Sequence, residues 1–277
     1  MSRLFSAAPF IVSLVLGILA VIFAFRLSLA DDLWPVEPTG PLSFTLIGSF
    51  FASACVATLW CLYERQVGGL VGLALDYLTI FGVIAVFSFD LADGDNIITV
   101  VAAALAIGGV LFATTMLPAL RSPITDLRPQ PRLARLSFIG SVFWLVGVGV
   151  ALLLKAKVLP WPLSDELSVI SGSLFLGAAT YLGYSLLRPS WANTGGQLAA
   201  FLAYDVVLIY PLFTRLPDVD SEFRINLFVY SAVIAYSALL ATYYLLVDPR
   251  TRVFGPVSPV AALPSSPPFA GGQDASG

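Results

Sequence analysis

The chain has 277 residues, of which 58% are apolar and only 11% charged, with a formal net charge of −3 and a mean hydropathy of +0.91. Soluble domains carry about 25% charged residues, so this chain cannot cover a water-facing surface, and the soluble globular, disordered and fibrous classes are excluded. Histidine is absent, which removes His-ligated haem, zinc and copper, Ser–His and Cys–His nucleophiles, and the imidazole proton shuttle.

A helix crosses the ~30 Å hydrocarbon layer in about 20 residues. Apolar runs of that length fall at 7–25, 42–63, 67–89, 97–120, 136–154, 167–187, 195–213 and 225–247. These eight runs predict an all-α, polytopic integral membrane protein with eight transmembrane helices, the bundle occupying residues 1–253. Ser28-Leu29-Ala30 resembles a signal-cleavage site. The first run is nevertheless longer than a usual signal h-region, and Arg26 intervenes, so it is read as a span. Cys55 and Cys61 stand six positions apart in the second run, point to different faces and are read as small hydrophobes. Pro118 and Pro211 are expected to kink or end the fourth and seventh helices. Gly68/Gly72 and Gly147/Gly149 are spacings that let helices approach closely.

Orientation follows from the basic residues. With the N-terminus inside, Arg3, Arg65, Arg121, Arg128, Arg132, Arg135, Arg188, Arg250 and Arg252 are cytoplasmic, nine of the 14 Lys and Arg. Eleven acidic residues then lie outside and four inside. Both termini and the loop 121–135 are expected in the cytoplasm of a prokaryotic cell, with the protein in its plasma membrane. The Pro-rich stretch 254–277 is expected to be a disordered cytoplasmic tail.

The halves share an order of features. Leu33-Trp34-Pro35, Pro41-Leu42-Ser43 and Gly48-Ser49-Phe50 correspond to Pro160-Trp161-Pro162, Glu166-Leu167-Ser168 and Gly172-Ser173-Leu174. Each continues through a Gly-Gly pair, read as a loop (Gly68-Gly69; Gly195-Gly196), into a helix with one internal Asp (Asp76; Asp205). This predicts a 4+4 internal repeat, about 7–120 and 136–247. Four is an even number, so the repeats would be parallel and related by an axis along the membrane normal.

Asp76 and Asp205 fall nine and ten residues into their runs, near the bilayer midplane. An ionised side chain there costs at least ~2.5–3.5 kcal/mol, and no Lys or Arg lies inside any run. Facing one another, the two carboxyls could share a proton or hold a cation, with Tyr77, Tyr204 and Tyr210 as neighbouring partners. The plainer reading makes each Asp a hydrogen-bonding group that fixes helix packing. Trp34, Trp161, Trp60 and Trp191 are expected as interfacial anchors at the helix ends.

Eight spans with an Asp in the third and seventh resemble the bacterial lysoplasmalogenase family in layout. The residues preceding the aspartates are Leu75 and Tyr204, and an early Lys-Pro pair is missing, so no site is carried over. No nucleotide loop, metal-carboxylate motif or catalytic Ser motif is present. The expected partners are the lipid bilayer and a small-molecule or ion ligand, without cofactor, metal or nucleic acid. Three functions fit these residues: a small transporter or channel-like protein, an intramembrane aspartate-dependent lipid hydrolase, and a non-catalytic membrane subunit or assembly factor.

Overall fold

The computed structural model describes residues 3–33, 40–91, 97–122, 126, 128–215 and 221–254. Trp34, Pro35 and the expected tail after Phe254 lie outside them. The helices are α1 (Arg3–Ala24), α2 (Ser28–Leu33), α3 (Pro41–Tyr63), α4 (Leu70–Leu91), α5 (Ile97–Met116), α6 (Arg132–Leu153), α7 (Asp165–Leu187), α8 (Trp191–Arg215) and α9 (Arg224–Thr242), the last closing in a π-turn, Tyr243–Val247. Among the described residues, seven helices are long and apolar enough to cross a membrane. The chain is a helical polytopic membrane protein. Within α1, Pro9–Ala24 forms an apolar helical stretch shorter than these spans.

In lipid every backbone polar group must be satisfied within the chain, and three helix ends show how. After α1, α3 and α6 the chain turns through a left-handed residue that is basic instead of glycine: Arg26 (φ 45°), Arg65 (φ 54°) and Lys155 (φ 58°). The amide after each turn bonds back five residues: Leu27 to Ile22 O (3.0 Å), Gln66 to Cys61 O (2.9 Å), Ala156 to Ala151 O (2.9 Å). A cation there also complements the negative helix terminus. At the opposite kind of end, the Ser164 hydroxyl accepts the Leu167 amide (3.2 Å) and caps α7.

Helix pairing is not sequential around a ring. α1 packs on α3, α5 on α4, α6 on α7 and α9 on α8, while the long central contacts are α3 with α8 and α4 with α7. Four inner helices are thus each backed by one outer helix. Lipid tails are as apolar as leucine, so small residues rather than hydrophobicity decide which helices meet. A β-carbon at Gly48 would lie 2.6 Å from the Ala24 amide nitrogen, and one at Gly172 would lie 2.8 Å from Gly149 O and 3.1 Å from the Leu153 amide nitrogen. The Ser168 hydroxyl adds a bond to Leu152 O (2.7 Å) across α6 and α7. Gly72 makes room for the Tyr181 ring, as its spacing predicts, whereas nothing lies within 4 Å of a β-carbon at Gly147.

Two expectations about α8 are corrected. The helix begins at Trp191, and Gly195-Gly196 lie inside it against the Trp60 ring, not in a loop. Asn193, Thr194 and Gln197 are buried in protein, with Asn193 donating to Arg188 O (2.9 Å) and Thr194 to Ser190 O (2.9 Å), so their polarity does not end the helix. Pro211, expected to kink or end the helix, does not end it: α8 carries the proline and continues to Arg215. Pro118 follows the end of α5, as expected, in a 3₁₀ turn, Leu117–Arg121.

At the end of the bundle where α8 starts, Arg128 ties three segments together. Its guanidinium pairs with Asp126 (2.8 Å), donates to Arg250 O (3.1 Å) and lies 5.9 Å from the Trp191 ring centre. The Trp191 amide returns a bond to Arg128 O (2.7 Å). Nearby, partial burial raises the Glu64 carboxyl above its usual range, with Arg128 pulling it back. Arg128→Ala is expected to lower stability by about 1–3 kcal/mol, the worth of hydrogen bonds made by a charged group, as read in thermal unfolding of the purified protein. Arg128→Lys should restore only part of that loss, since an ammonium lacks the planar fork that meets both Asp126 oxygens while reaching Arg250 O.

Candidate functional site

A cavity of about 280 Å³ lies among the helices, with Asp76 of α4 and Asp205 of α8 both in its lining. Tyr77 and Tyr204 line it too, so four of the five polar residues singled out in the sequence border the same cavity. Tyr210 does not join them. It is 74% exposed because five positions along α8 from Asp205 turn it about 140° away from that face.

Asp76 owes its position to a missing side chain. A β-carbon at Gly177 of α7 would coincide with the Asp76 carboxyl and crowd Ile80, so the carboxyl occupies the notch that glycine leaves. The α4–α7 contact is tied one turn further on by the Thr79 and Thr180 hydroxyls (3.2 Å), Thr79 also donating to Leu75 O (2.9 Å). The Asp76 Oδ1 is buried and makes no hydrogen bond.

Asp205 is 1% exposed. Its carboxyl takes a hydrogen bond from the Ser237 hydroxyl of α9, while Oδ2 is left without a partner. The adjacent Tyr204 hydroxyl bonds to that of Tyr230, also on α9. Rings fix both phenols: Phe50 stands edge-on to Tyr204 (5.2 Å between centres), and Trp161 edge-on to Tyr230 (6.2 Å). On the other side, the Tyr77 ring packs between Phe81 and Phe112 (6.3 Å each).

Gln197 adds to the polar lining. One N–H of its amide is given to Tyr181 O, and its Oε1 is buried and unbonded. Ser53, Ser141 and Tyr236 line the cavity as well, and the rest of the wall is aliphatic and aromatic and contains no Lys or Arg. Gln197, Tyr181, Tyr230 and Ser237 were missed in the sequence because none is a near neighbour of either aspartate along the chain. A legible signal existed on α9, where Tyr230, Ile234 and Ser237 follow the four- and three-residue steps of one helix face.

The three tryptophans that the structure describes among those expected as anchors are buried in protein: Trp60 8%, Trp161 7% and Trp191 1% exposed. Trp60 fills the space over Gly195-Gly196, Trp161 meets Tyr230, and Trp191 lies under Arg128. Their rings join helices to one another; Trp34 lies outside the described residues. Comparison of the chain with protein-family models, curated proteins and solved structures finds no match.

Proposed function

We propose that this chain is a small transporter or channel-like protein built from two parallel four-helix repeats, with Asp76 and Asp205 as a proton or cation site between them. The observation that carries the reading is the lining of one central cavity by both carboxyls, without a basic residue beside them. Intramembrane acids facing a cavity mark ion and proton paths far more often than they serve as inert packing.

The repeat is supported by helix pairing. Exchanging α1, α3, α4 and α5 for α6, α7, α8 and α9 turns every principal contact into another: α1–α3 into α6–α7, α4–α5 into α8–α9, and α3–α8 into α7–α4. Finer features follow the same exchange. Gly48 and Gly172 each meet the backbone of the preceding helix. Ser49 and Ser173 each donate to the carbonyl three residues back (2.6 Å). Arg26 and Lys155 each end the first helix of a half and pair with an acid, Asp31 at 3.8 Å and Asp165 at 2.6 Å. On this reading α1 is the eighth span and the aspartates stand on equivalent helices.

The N-in, C-in orientation belongs to the same reading. The pairs Arg26–Asp31, Lys155–Asp165 and Lys157–Glu222 then fall on the outer face, and the Arg128 cluster on the inner one. A phosphatase fusion placed after Arg121 is expected to be inactive and a fluorescent-protein fusion there bright; the reverse pattern would overturn the orientation.

The function is tested in proteoliposomes carrying a pH-sensitive dye, with proton, Na⁺ and K⁺ gradients imposed in turn. Flux above that of protein-free vesicles, reduced to background in Asp76→Asn and Asp205→Asn, is the expected result. Flux absent for all three ions, with both Asn variants as stable as the parent, would leave packing as the role of the aspartates.

A further inference from the structure

We infer that the ligand of the central cavity is a hydrophobic ammonium, an amine with at least one N–H and an apolar body. The inference rests on reading the aspartate pair as a cation site and names the chemistry that the site would select. It starts from unmet hydrogen bonds. Asp76 Oδ1, Asp205 Oδ2 and Gln197 Oε1 are buried atoms without partners, and all three residues line the same cavity. A carboxylate and an amide oxygen can only accept. One N–H of Gln197 is given to Tyr181 O; the lining has no Lys or Arg, and its one buried, unpartnered hydroxyl, that of Tyr77, can supply a single donor against these three acceptors.

A buried acceptor left unsatisfied costs about 1–3 kcal/mol, so a complementary ligand brings donors, and beside two acids it brings them with positive charge. The rest of the wall decides the rest of the ligand. Phe50, Trp144, Phe175 and Phe201 stand among the aliphatic residues that make up most of the lining. Aromatic faces attract an organic cation, and about 280 Å³ is near the lower end of cavities that hold small organic molecules. A quaternary ammonium would satisfy the charge and the rings but none of the three acceptors.

The experiment titrates the full chain in detergent with 4-phenylbutylammonium, 4-phenylbutan-1-ol and 4-phenylbutyltrimethylammonium by calorimetry. The primary ammonium is expected to bind about tenfold or more tightly than the alcohol or the quaternary ion, the worth of one charge-assisted hydrogen bond. Asp76→Asn and Asp205→Asn should each weaken the ammonium by about tenfold and leave the alcohol unchanged. Gln197→Leu, which removes the neutral acceptor, should weaken it by a smaller factor and serves if an Asn variant fails to fold. Equal affinity for ammonium and alcohol, or an ammonium affinity that both Asn variants retain, would overturn the inference. Asp-dependent Na⁺, K⁺ or proton flux without ammonium preference would overturn the amine while leaving the cation site standing. Neither binding nor flux would remove both.

Discussion

Valine at Gly172 is expected to prevent the second half of the bundle from closing, with a loss of about 3 kcal/mol or more, at the upper end of overpacking effects. A side chain that crowds a flexible neighbour can be absorbed by a rotamer change, but here the neighbours are backbone. The first carbon alone would stand 2.8 Å from Gly149 O and 3.1 Å from the Leu153 amide nitrogen, and α6 would have to move bodily away from α7. Valine at Gly48 meets the same obstacle against Ala24 and Ala20 of α1 and should cost a similar amount. Glycines without neighbours are the control. Gly147→Val and Gly183→Val, where nothing lies within 4 Å of a β-carbon, should stay within about 0.5 kcal/mol of the parent. Thermal unfolding of the four variants in one detergent checks the set, and a destabilised control with an unaffected Gly172→Val would refute the helix contacts described.

Replacing either aspartate by asparagine is expected to have the opposite profile: full loss of cation-dependent activity with little change in stability. Asp205→Asn keeps an oxygen for the Ser237 hydroxyl and Asp76→Asn keeps the shape that fills the Gly177 notch, so packing survives. What disappears is the charge that attracts a cation and the proton that can be exchanged. Flux in proteoliposomes should fall by about two orders of magnitude, corresponding to about 2.7 kcal/mol of lost stabilisation. The unfolding midpoint should move by no more than an ordinary surface substitution moves it. Leucine at the same positions should also abolish flux, and it need not destabilise, because removing a buried charge in favour of apolar packing is often neutral. Retained flux in both Asn variants would contradict this role.

Much of the fold was legible in the chain because a bilayer leaves few options: seven of the expected runs match helices that meet the length and hydropathy needed to cross. The similar depth of Asp76 and Asp205 was legible from the runs, but that both line one cavity was not, since depth along a helix does not fix which way a side chain faces. Pairing was not legible, since α3 with α8 and α4 with α7 depend on where a glycine meets a ring in space. Gly72 accepts Tyr181, and Gly195 and Gly196 accept Trp60. The beginning of α8 was misplaced for a related reason. A hydropathy pattern reads Asn193, Thr194 and Gln197 as a break, whereas protein surrounds them and supplies their bonds. Buried tryptophans mislead in the same way: a ring near a helix end suits an interface or a helix contact equally, and only the neighbours decide.

The most direct measurement is a double-mutant cycle on Asp76 and Asp205, with unfolding free energies taken for the parent, Asp76→Asn, Asp205→Asn and the double variant in mixed micelles at low salt. Carboxyls that share one cavity influence each other's charge, so the account predicts that the double variant departs from the sum of the single effects by more than about 0.5 kcal/mol. The departure should shrink in acid, where the carboxyls are protonated and the charge coupling is gone. Single effects that add to within about 0.5 kcal/mol at every pH would contradict a common site and make the two aspartates separate features of the bundle.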